Sequence, residues 1–325
     1  MRLRHLGYAC INTTLGTKSR TVRLANLRTE AVIPVITQNL EGVRDALRWN
    51  VEHDLRFFRI SSDLIPFGPL PEFPFDWAEA FDWLFRDIRR LVKAEGIRLT
   101  SHPGQYTVLN SPREEVVENS VAELDFQAQV LKLMGGDTMT LHVGGAYGDK
   151  ASAMDRFAQN LDRLSDEARG RLAIENDDTT YTLEETVRLA ERTGLPVIVD
   201  LFHHKLNPGT GAATANPSGA TWDAGLGELL ERAAATWGTR APKLHLSSHK
   251  PGIRTGHAAY LSMNDVDELV EVMAGVGEPD APYDLMLEAK QKEVALLEVR
   301  RYLKTGERPD RAIPMETPAE AEASA

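Results

Sequence analysis

The sequence predicts a single (β/α)8 TIM barrel, and three observations support that fold class. The 325-residue chain contains eight short apolar runs of strand length. Amphipathic stretches, with apolar residues three or four positions apart, separate these runs as helices separate the parallel strands of a barrel. Six of the runs end in residues that bind divalent metals. Because the carboxyl ends of all barrel strands meet at one mouth, this order predicts a multi-metal site there.

The individual elements follow from the same two periodicities. The predicted strands, in chain order, are His5–Ile11, Arg56–Ser61, Ile97–Ser101, Asp137–Val143, Arg171–Asn176, Pro196–Leu201, Pro242–Ser247 and Tyr283–Ala289. The predicted helices between and after them are Val22–Trp49, Asp76–Glu95, Glu114–Met134, Ala153–Glu167, Leu183–Thr193, Trp222–Ala235, Met263–Val276 and Lys292–Leu303. A doubly wound open sheet is the main rival, but it seldom has eight units with ligands on so many strands.

The barrel is expected to occupy residues 1–305 as one domain, since no linker divides the chain. Residues 306–325, rich in Pro, Ala and Glu, are expected to form a disordered tail. The segment Asn207–Thr221, rich in Gly, Ala, Thr and Asn, reads as a mobile loop on the active face.

Composition limits the class of protein. Hydrophobic residues make up 42% and charged residues 26% of the chain, as in globular proteins with a large core. Cys10 is the single cysteine, and no signal peptide or membrane span is visible, so a place in the reducing cytosol is expected. The size of the chain is compatible with work as a monomer. The net charge of −11 argues mildly against a polyanionic partner, but residues 1–28 and 233–264 carry basic residues and no acid.

Histidines and carboxylates recur at the predicted strand ends. A lone histidine is more often structural than a ligand, but the series as a whole predicts zinc, manganese or iron binding. His204 is the least suitable member, because its side chain should point away from that of its neighbour His203. The candidate ligands are His102, His142, Glu175, Asp200, His203, His245, His257 and Glu288.

Several of these strand ends resemble motifs of the UV damage endonuclease family and, more distantly, of endonuclease IV-type abasic-site nucleases. The resemblance covers roughly residues 1–305. It rests on the segments Gly7-Tyr8-Ala9-Cys10-Ile11-Asn12, Arg59-Ile60-Ser61-Ser62-Asp63, Ser101-His102-Pro103-Gly104-Gln105-Tyr106, Glu175-Asn176-Asp177 and Lys243-Leu244-His245-Leu246-Ser247-Ser248. It implies a nuclease with up to three metal ions, manganese being the expected metal. The implied substrate is UV-damaged double-stranded DNA, nicked 5′ to pyrimidine dimers and 6-4 photoproducts.

The resemblance also implies how the ligands are shared. It assigns a first ion to His102, His142 and Glu175. It assigns a second ion to the set Glu175, Asp200, His245 and Glu288. A third ion would take His203 and His257, with Glu175 and Glu288 close to the shared centre.

One departure from the endonuclease IV pattern concerns Lys243. Those nucleases complete the third ion's shell with an aspartate near this position, whereas this chain has no acid between Glu231 and Asp265. Lys243 shares a strand face with His245, where an ammonium would be repelled by metal ions. We therefore expect Lys243 to be neutral, or carboxylated so that it becomes an anionic ligand. The alternative is an ion pair with Glu175 or Glu288.

Hydrolysis by such a site needs a group that orients water, and Glu175 is the best candidate, with Lys243 and Glu288 as further catalytic residues. Gln105 and Tyr106 could wedge into the duplex and fill the gap that an extruded lesion leaves. The alternative is that Tyr106 packs its own loop.

Other predicted DNA contacts lie after the first and seventh strands. Tyr8 and Asn12 are expected to line the lesion pocket, and the alternative for Tyr8 is packing in the barrel core. Residues after the seventh strand are expected to meet phosphates; they are Ser247, Ser248, Lys250 and Arg254. The alternative for Lys250 and Arg254 is solvated loop charge.

Two other enzyme classes and one non-enzymatic class compete with this interpretation. Sugar isomerases and epimerases use the same barrel with Glu, Asp, His and Glu on late strands, which Glu175, Asp200, His245 and Glu288 would satisfy. The extra imidazoles and the Gln105-Tyr106 pair favour a nuclease. An abasic-site nuclease is disfavoured by the missing carboxylate. A binding module is disfavoured because an open metal cluster is costly to assemble merely for binding. Fold alone decides none of these.

Overall fold

Eight parallel strands close into a barrel in sequence order. The structure is a computed structural model that describes residues 1–209 and 225–310. The strands are β1 Arg2–Cys10, β2 Phe57–Ile60, β3 Arg98–Ser101, β4 Thr138–His142, β5 Leu172–Glu175, β6 Val197–Asp200, β7 Lys243–Leu246 and β8 Pro282–Leu287. Pairing of β1 with β8, with Leu6 opposite Leu285, closes the barrel. The predicted fold class is confirmed.

Helices surround the barrel in the order expected of a (β/α)8 fold. They are α1 Thr29–Glu52, α2 Trp77–Ala80, α3 Asp82–Ala94, α4 Glu114–Met134, α5 Lys150–Asn160, α6 Asp166–Arg171, α7 Leu183–Thr193, α8 Leu201–Leu206, α9 Leu226–Ala235, α10 Met263–Ala274 and α11 Lys292–Thr305. Short 3-10 turns lie at Leu24–Asn26 and Leu161–Arg163. No helix within the described ranges has both the length and the apolar character to cross a bilayer.

Local capping explains where the helices begin and end. In α7, the Thr182 hydroxyl accepts a hydrogen bond from the Glu185 amide, and the Glu185 carboxylate accepts one from the Thr182 amide. The same helix ends at Gly194, whose φ of 73° suits glycine. Ser165 caps α6 and so splits the predicted helix Ala153–Glu167 into separate pieces.

The barrel interior is filled by side chains, and ion pairs close the end formed by the amino termini of the strands. A Cβ on Gly7 would lie 2.6 Å from the Phe57 ring, so only glycine allows that ring inside the barrel. At the amino-terminal ends of the strands, Asp284 is fully buried and accepts hydrogen bonds from Arg98 at 2.8 Å and from Arg4 at 2.5 Å. This pairing satisfies the buried carboxylate and leaves the opposite end of the barrel for the site.

Two sequence predictions fall partly outside the described residues. Most of the predicted loop Asn207–Thr221, and the start of the helix predicted from Trp222, lie in the undescribed range 210–224. Of the predicted tail 306–325, only residues 306–310 are described. There Arg308 donates hydrogen bonds to Asn264 at 2.7 Å and Asp267 at 2.6 Å, which ties this short piece to α10.

Candidate metal centre

Seven of the predicted ligands meet at the carboxyl ends of strands β3 to β8 and at the start of α8. They form three overlapping groups in which one nitrogen or oxygen from each residue lies within 4.8 Å of the others. The groups are His102 with His142 and Glu175, Glu175 with Asp200 and His203, and Asp200 with His245 and Glu288. We call these the first, middle and last groups.

The first group holds its imidazoles against one carboxylate oxygen. Nε2 of His102 and Nε2 of His142 lie 3.2 Å and 3.4 Å from Oε2 of Glu175. Nδ1 of His102 lies 3.0 Å from the Pro103 carbonyl, which can only accept, so this nitrogen carries the proton in the neutral ring. Burial lowers the pKa of His102 to about 4. The ring is therefore neutral at physiological pH, as a metal ligand must be.

The middle group is built on the turn from β6 into α8. Asp200 caps this helix, with Oδ1 accepting a hydrogen bond from the His203 amide at 2.8 Å. Nδ1 of His203 lies 3.0 Å from the Asn176 carbonyl, which leaves Nε2 facing the group. Burial disfavours protonation of His203, but the charges of Asp200, Glu175 and Glu288 outweigh it and raise its pKa to about 9. The three carboxylates thus create a strongly cation-attracting field.

The last group surrounds a fully buried imidazole. Nδ1 of His245 lies 2.5 Å from Oε1 of Glu175 and 3.3 Å from Oε1 of Glu288. Burial raises the pKa of Glu175, but His245 and His142 outweigh it and hold the pKa well below its usual value. Glu175 is therefore ionised. It belongs to the first and middle groups and contacts His245 of the last group.

Several buried polar atoms of these residues have no hydrogen-bond partner among the described residues. They are Nδ1 of His142, Oε1 of Glu175, Oδ2 of Asp200 and both ring nitrogens of His245. Two of them, Nδ1 of His245 and Oε1 of Glu175, lie 2.5 Å apart without hydrogen-bond geometry. Buried polar atoms that make no hydrogen bond are costly in a protein interior and need an explanation. Mixed imidazole and carboxylate donors suit zinc, manganese or iron. The residues therefore fit divalent metal ions.

His257 is the one predicted ligand that joins none of the three groups. Its Nδ1 lies 3.1 Å from the backbone oxygen of Glu288 and 3.6 Å from Oε2 of the same residue. Its ring centre is 6.3 Å from that of His203. The structure thus places His257 beside the last group, and it places His203 with Glu175 and Asp200. His204 is buried and stands in none of the groups, as expected.

Lys243 lies in the barrel interior with its side chain fully buried. Its Nζ donates a hydrogen bond to Oγ1 of Thr140 at 2.9 Å. Burial, together with the positive charges of Arg59 and Arg98, lowers the pKa of Lys243 to about 7. The alternative of an ion pair with Glu175 or Glu288 is not formed, since neither carboxylate, both of them described, lies within 4.0 Å of Nζ.

The predicted DNA contacts divide into exposed and buried residues. Tyr106 is 85% exposed on the loop after β3, beside the exposed Gln105, so it does not pack its own loop. After β7, Arg254 is exposed and Lys250 is half-buried.

Four other predicted contacts are buried, which differs from expectation. Tyr8 and Asn12 have no exposed surface, so the tyrosine ring offers no face for stacking on a base. The Asn12 amide donates a hydrogen bond to the Tyr8 hydroxyl at 2.9 Å. Ser247 is also buried, and Ser248 donates a hydrogen bond to Asp265 at 2.5 Å. The two serines are thus not presented to a phosphate.

Sequence reasoning assigned no role to Arg59 or Asn176, which both contact the centre. Arg59 donates a hydrogen bond from Nη1 to Oε1 of Glu288. Asn176 is fully buried, and its side chain bonds the backbone of Asp200. The available signal was a charged residue within the apolar run of β2 and an amide directly after Glu175.

Comparison with known proteins places these features in a family. A family model described as UV-endonuclease UvdE matches residues 4–316. The UV DNA damage endonuclease of Bacillus velezensis is 36% identical over 278 residues, which span 83% of this chain and 82% of that protein. The crystal structure of SacUVDE matches with a TM-score of 0.82 and 34% identity, over 93% of this chain and 98% of its own. Endonuclease IV from Thermus thermophilus shares the fold, with a TM-score of 0.60 and 19% identity over 93% of this chain and 99% of its own.

Proposed function

Because the chain belongs to the UV-endonuclease UvdE family, we propose that it is a DNA repair endonuclease that nicks duplex DNA immediately 5′ to cyclobutane pyrimidine dimers and 6-4 photoproducts. The reaction is metal-dependent hydrolysis of a phosphodiester bond. The observation that carries this proposal is the set of three overlapping histidine and carboxylate groups at the barrel mouth, with buried atoms that make no hydrogen bond among the described residues.

The first, middle and last groups would hold up to three divalent ions, with manganese as the expected metal. When bound, such ions supply positive charge that neutralises the phosphate in the transition state. Glu175, which its low pKa keeps ionised, orients the attacking water. Glu288, held by Arg59, fixes the last group.

Lys243 is proposed to carry a carboxyl group. With its pKa lowered to about 7, a large share of the amine is neutral at physiological pH and can attack carbon dioxide. A bond then forms from Nζ to carbon, and Nζ loses a proton to solvent, which leaves an anionic carbamate. This group would supply the acid that the chain lacks between Glu231 and Asp265.

Lesion recognition is assigned to the exposed pair Gln105 and Tyr106. Their position on the loop after β3 places them next to His102, so a ring that enters the duplex does so close to the first group. A dimer already weakens its stack, which lowers the cost of turning it out of the helix. Lys250 and Arg254 contact phosphates at the rim, and the enzyme acts as a monomer.

A plasmid assay tests the proposal directly. Supercoiled plasmid is UV-irradiated, depurinated or left untreated, and each sample is incubated with protein plus manganese or plus chelator. We expect metal-dependent nicking of the irradiated plasmid above that of the untreated one. Nicking of the depurinated plasmid alone would indicate an abasic-site nuclease. Metal binding without any nicking would indicate a sugar isomerase or epimerase.

A further inference from the structure

We propose that Asn176 is a positioning residue that sets the geometry of the middle group, Glu175 with Asp200 and His203. This inference rests on the proposed function in one respect, namely that divalent ions bind at these groups. The oxygen and the nitrogen of the Asn176 side chain are both hydrogen-bonded to the backbone of Asp200, so Asn176 is not itself assigned as a metal ligand. Its effect is exerted through the backbone and through one histidine ring.

The Asn176 side chain makes two opposed hydrogen bonds with one residue. Nδ2 donates to the backbone oxygen of Asp200 at 2.9 Å, and Oδ1 accepts from the backbone amide of Asp200 at 2.9 Å. Both bonds are buried, and the side chain has no exposed surface. Because both its donor and its acceptor are hydrogen-bonded, this buried amide is held in a single orientation.

These two bonds lie beyond the last pair of β5 with β6, on the side of β6 opposite to β7, where Asp200 pairs with His245. The pairing of β5 with β6 consists of Ile174 with Val197 and Glu175 with Ile198. Asp200 lies beyond the last of these pairs. The amide of Asn176 therefore extends the connection past the end of the ladder, at the point where the two carboxylate ligands leave their strands.

The backbone carbonyl of Asn176 fixes the third member of the group. It accepts a hydrogen bond from Nδ1 of His203 at 3.0 Å. Since a carbonyl can only accept, Nδ1 carries the proton and Nε2 is the nitrogen left for a metal ion. The two oxygens of the Asp200 carboxylate also differ in their contacts. Oδ1 caps α8, whereas Oδ2 is buried without a hydrogen bond among the described residues and is the oxygen left for a metal ion.

Asn176 thus directly follows Glu175 in the chain, bonds the backbone of Asp200 and orients the ring of His203. Hydrogen-bond partners of metal ligands typically change metal affinity by ~10- to 100-fold when they are removed. Removing the Asn176 side chain should therefore weaken the binding of the ion held by the middle group by a factor in this range.

The chain offers a matched control in Asn39 on α1. Its side chain is buried and makes the same pair of opposed bonds, accepting from the Arg20 amide at 2.8 Å and donating to the Arg20 carbonyl at 2.9 Å. It also donates to the Leu64 carbonyl at 3.0 Å, and neither Arg20 nor Leu64 belongs to a candidate metal group. Asn39→Ala therefore removes a buried amide with at least as many hydrogen bonds and leaves the candidate metal centre in place.

The test is metal binding by the full chain, measured for manganese and zinc by competition with a chromophoric chelator and by metal content after dialysis. Asn176→Ala should bind at least one ion ~10- to 100-fold more weakly than wild type. Asn39→Ala should lower the melting temperature comparably and keep wild-type affinity. Wild-type affinity in Asn176→Ala, or an equal loss in Asn39→Ala, would overturn the inference.

Asn176→Leu serves if the alanine variant does not fold. Leucine is close to asparagine in size and uncharged, and it makes neither hydrogen bond to Asp200. Weaker metal binding by this variant would therefore support the inference. Wild-type binding by it would overturn the inference alone, whereas a wild-type protein that binds no ion would overturn the proposed function as well.

Discussion

Arg59 and Glu288 form an ion pair inside the barrel mouth, where Nη1 of the arginine donates to Oε1 of the carboxylate. Strands β1 and β2 contribute no ligand to the three groups, and Arg59 provides a fixed positive charge on that side. Burial raises the pKa of Glu288, but Arg59 and His245 outweigh it and hold the pKa well below its usual value. Glu288 is therefore ionised in a site where burial alone would favour the acid.

Replacing Arg59 with Met should destabilise the metal-free protein, because it leaves the Glu288 charge buried without its partner. Breaking a buried pair costs ~3–5 kcal/mol. The loss should be smaller with manganese present, since bound cations compensate the same charge. Urea unfolding with and without metal measures both values. The control is Arg188→Met, which removes an exposed pair with Glu184 and should cost at most ~0.5 kcal/mol. Equal losses in the two variants would contradict this account.

Glu175→Gln should abolish most nicking of irradiated plasmid while preserving the fold. Glu175 belongs to both the first and the middle group, and the amide keeps its shape but loses its charge. A loss of several kcal/mol of transition-state stabilisation corresponds to ~1000-fold in rate. Initial nicking rates and metal content are the measurements. Glu184→Gln, on the exposed side of α7, is the control and should nick at the wild-type rate. Full activity in the Glu175 variant would contradict the assignment of the site.

Tyr106→Ala should weaken binding of lesion-containing DNA and leave stability within ~0.5 kcal/mol of wild type, because the side chain is 85% exposed. Stacking of a base on an aromatic ring is worth ~1–3 kcal/mol, so the affinity should fall by ~5- to 150-fold. Fluorescence anisotropy with a dimer-containing duplex measures this affinity. Trp83→Ala removes another exposed ring, on α3 of the outer layer, and should bind as wild type does. A loss of equal size in both variants would exclude a specific role for Tyr106.

Lys243 should make the stability of metal-free protein rise with pH between 7 and 10.5. Its pKa is about 7 in the fold and 10.5 in the unfolded chain, so in this window the unfolded chain holds a proton that the folded protein has released. The slope contributed by the lysine reaches ~1.4 kcal/mol per pH unit. Urea unfolding in chelator and carbon dioxide-free buffer measures it. Lys243→Met should lose this slope and be more stable than wild type below pH 7. An unchanged slope would show that the folded lysine is not neutralised by burial.

The barrel and most of the candidate metal centre could be predicted because both depend on local pattern. Strand length, helical periodicity and the residue type at each strand end are properties of neighbouring residues, and parallel strands bring those ends together whatever the details of packing. The same logic has a limit at Tyr8. It lies near the end of β1 like a site residue, but its side chain lies between the sheet and α1, where its hydroxyl donates to Asn50 and accepts from Asn12.

Arg59 and Asn176 could not be predicted because their partners are distant in sequence. Arg59 contacts a residue 229 positions away, and the Asn176 side chain bonds one 24 positions away. Such roles depend on which side chains face each other across the closed barrel. The resemblance assigned His257 to a third ion with His203, whereas the structure places it beside the last group, with its Nδ1 3.1 Å from the backbone oxygen of Glu288.

Two residues are shared among the three groups, since Glu175 belongs to the first and middle groups and Asp200 to the middle and last. Ions that enter here would draw on the same oxygens, so the affinity for one depends on whether its neighbours are present. Equilibrium titration should therefore report coupled macroscopic steps that belong to the cluster as a whole. If the protein is loaded with one metal and then exposed to another, the order in which the ions exchange should depend on the oxygens that they share. The measured metal content of a sample should therefore depend on the metals to which it was exposed earlier.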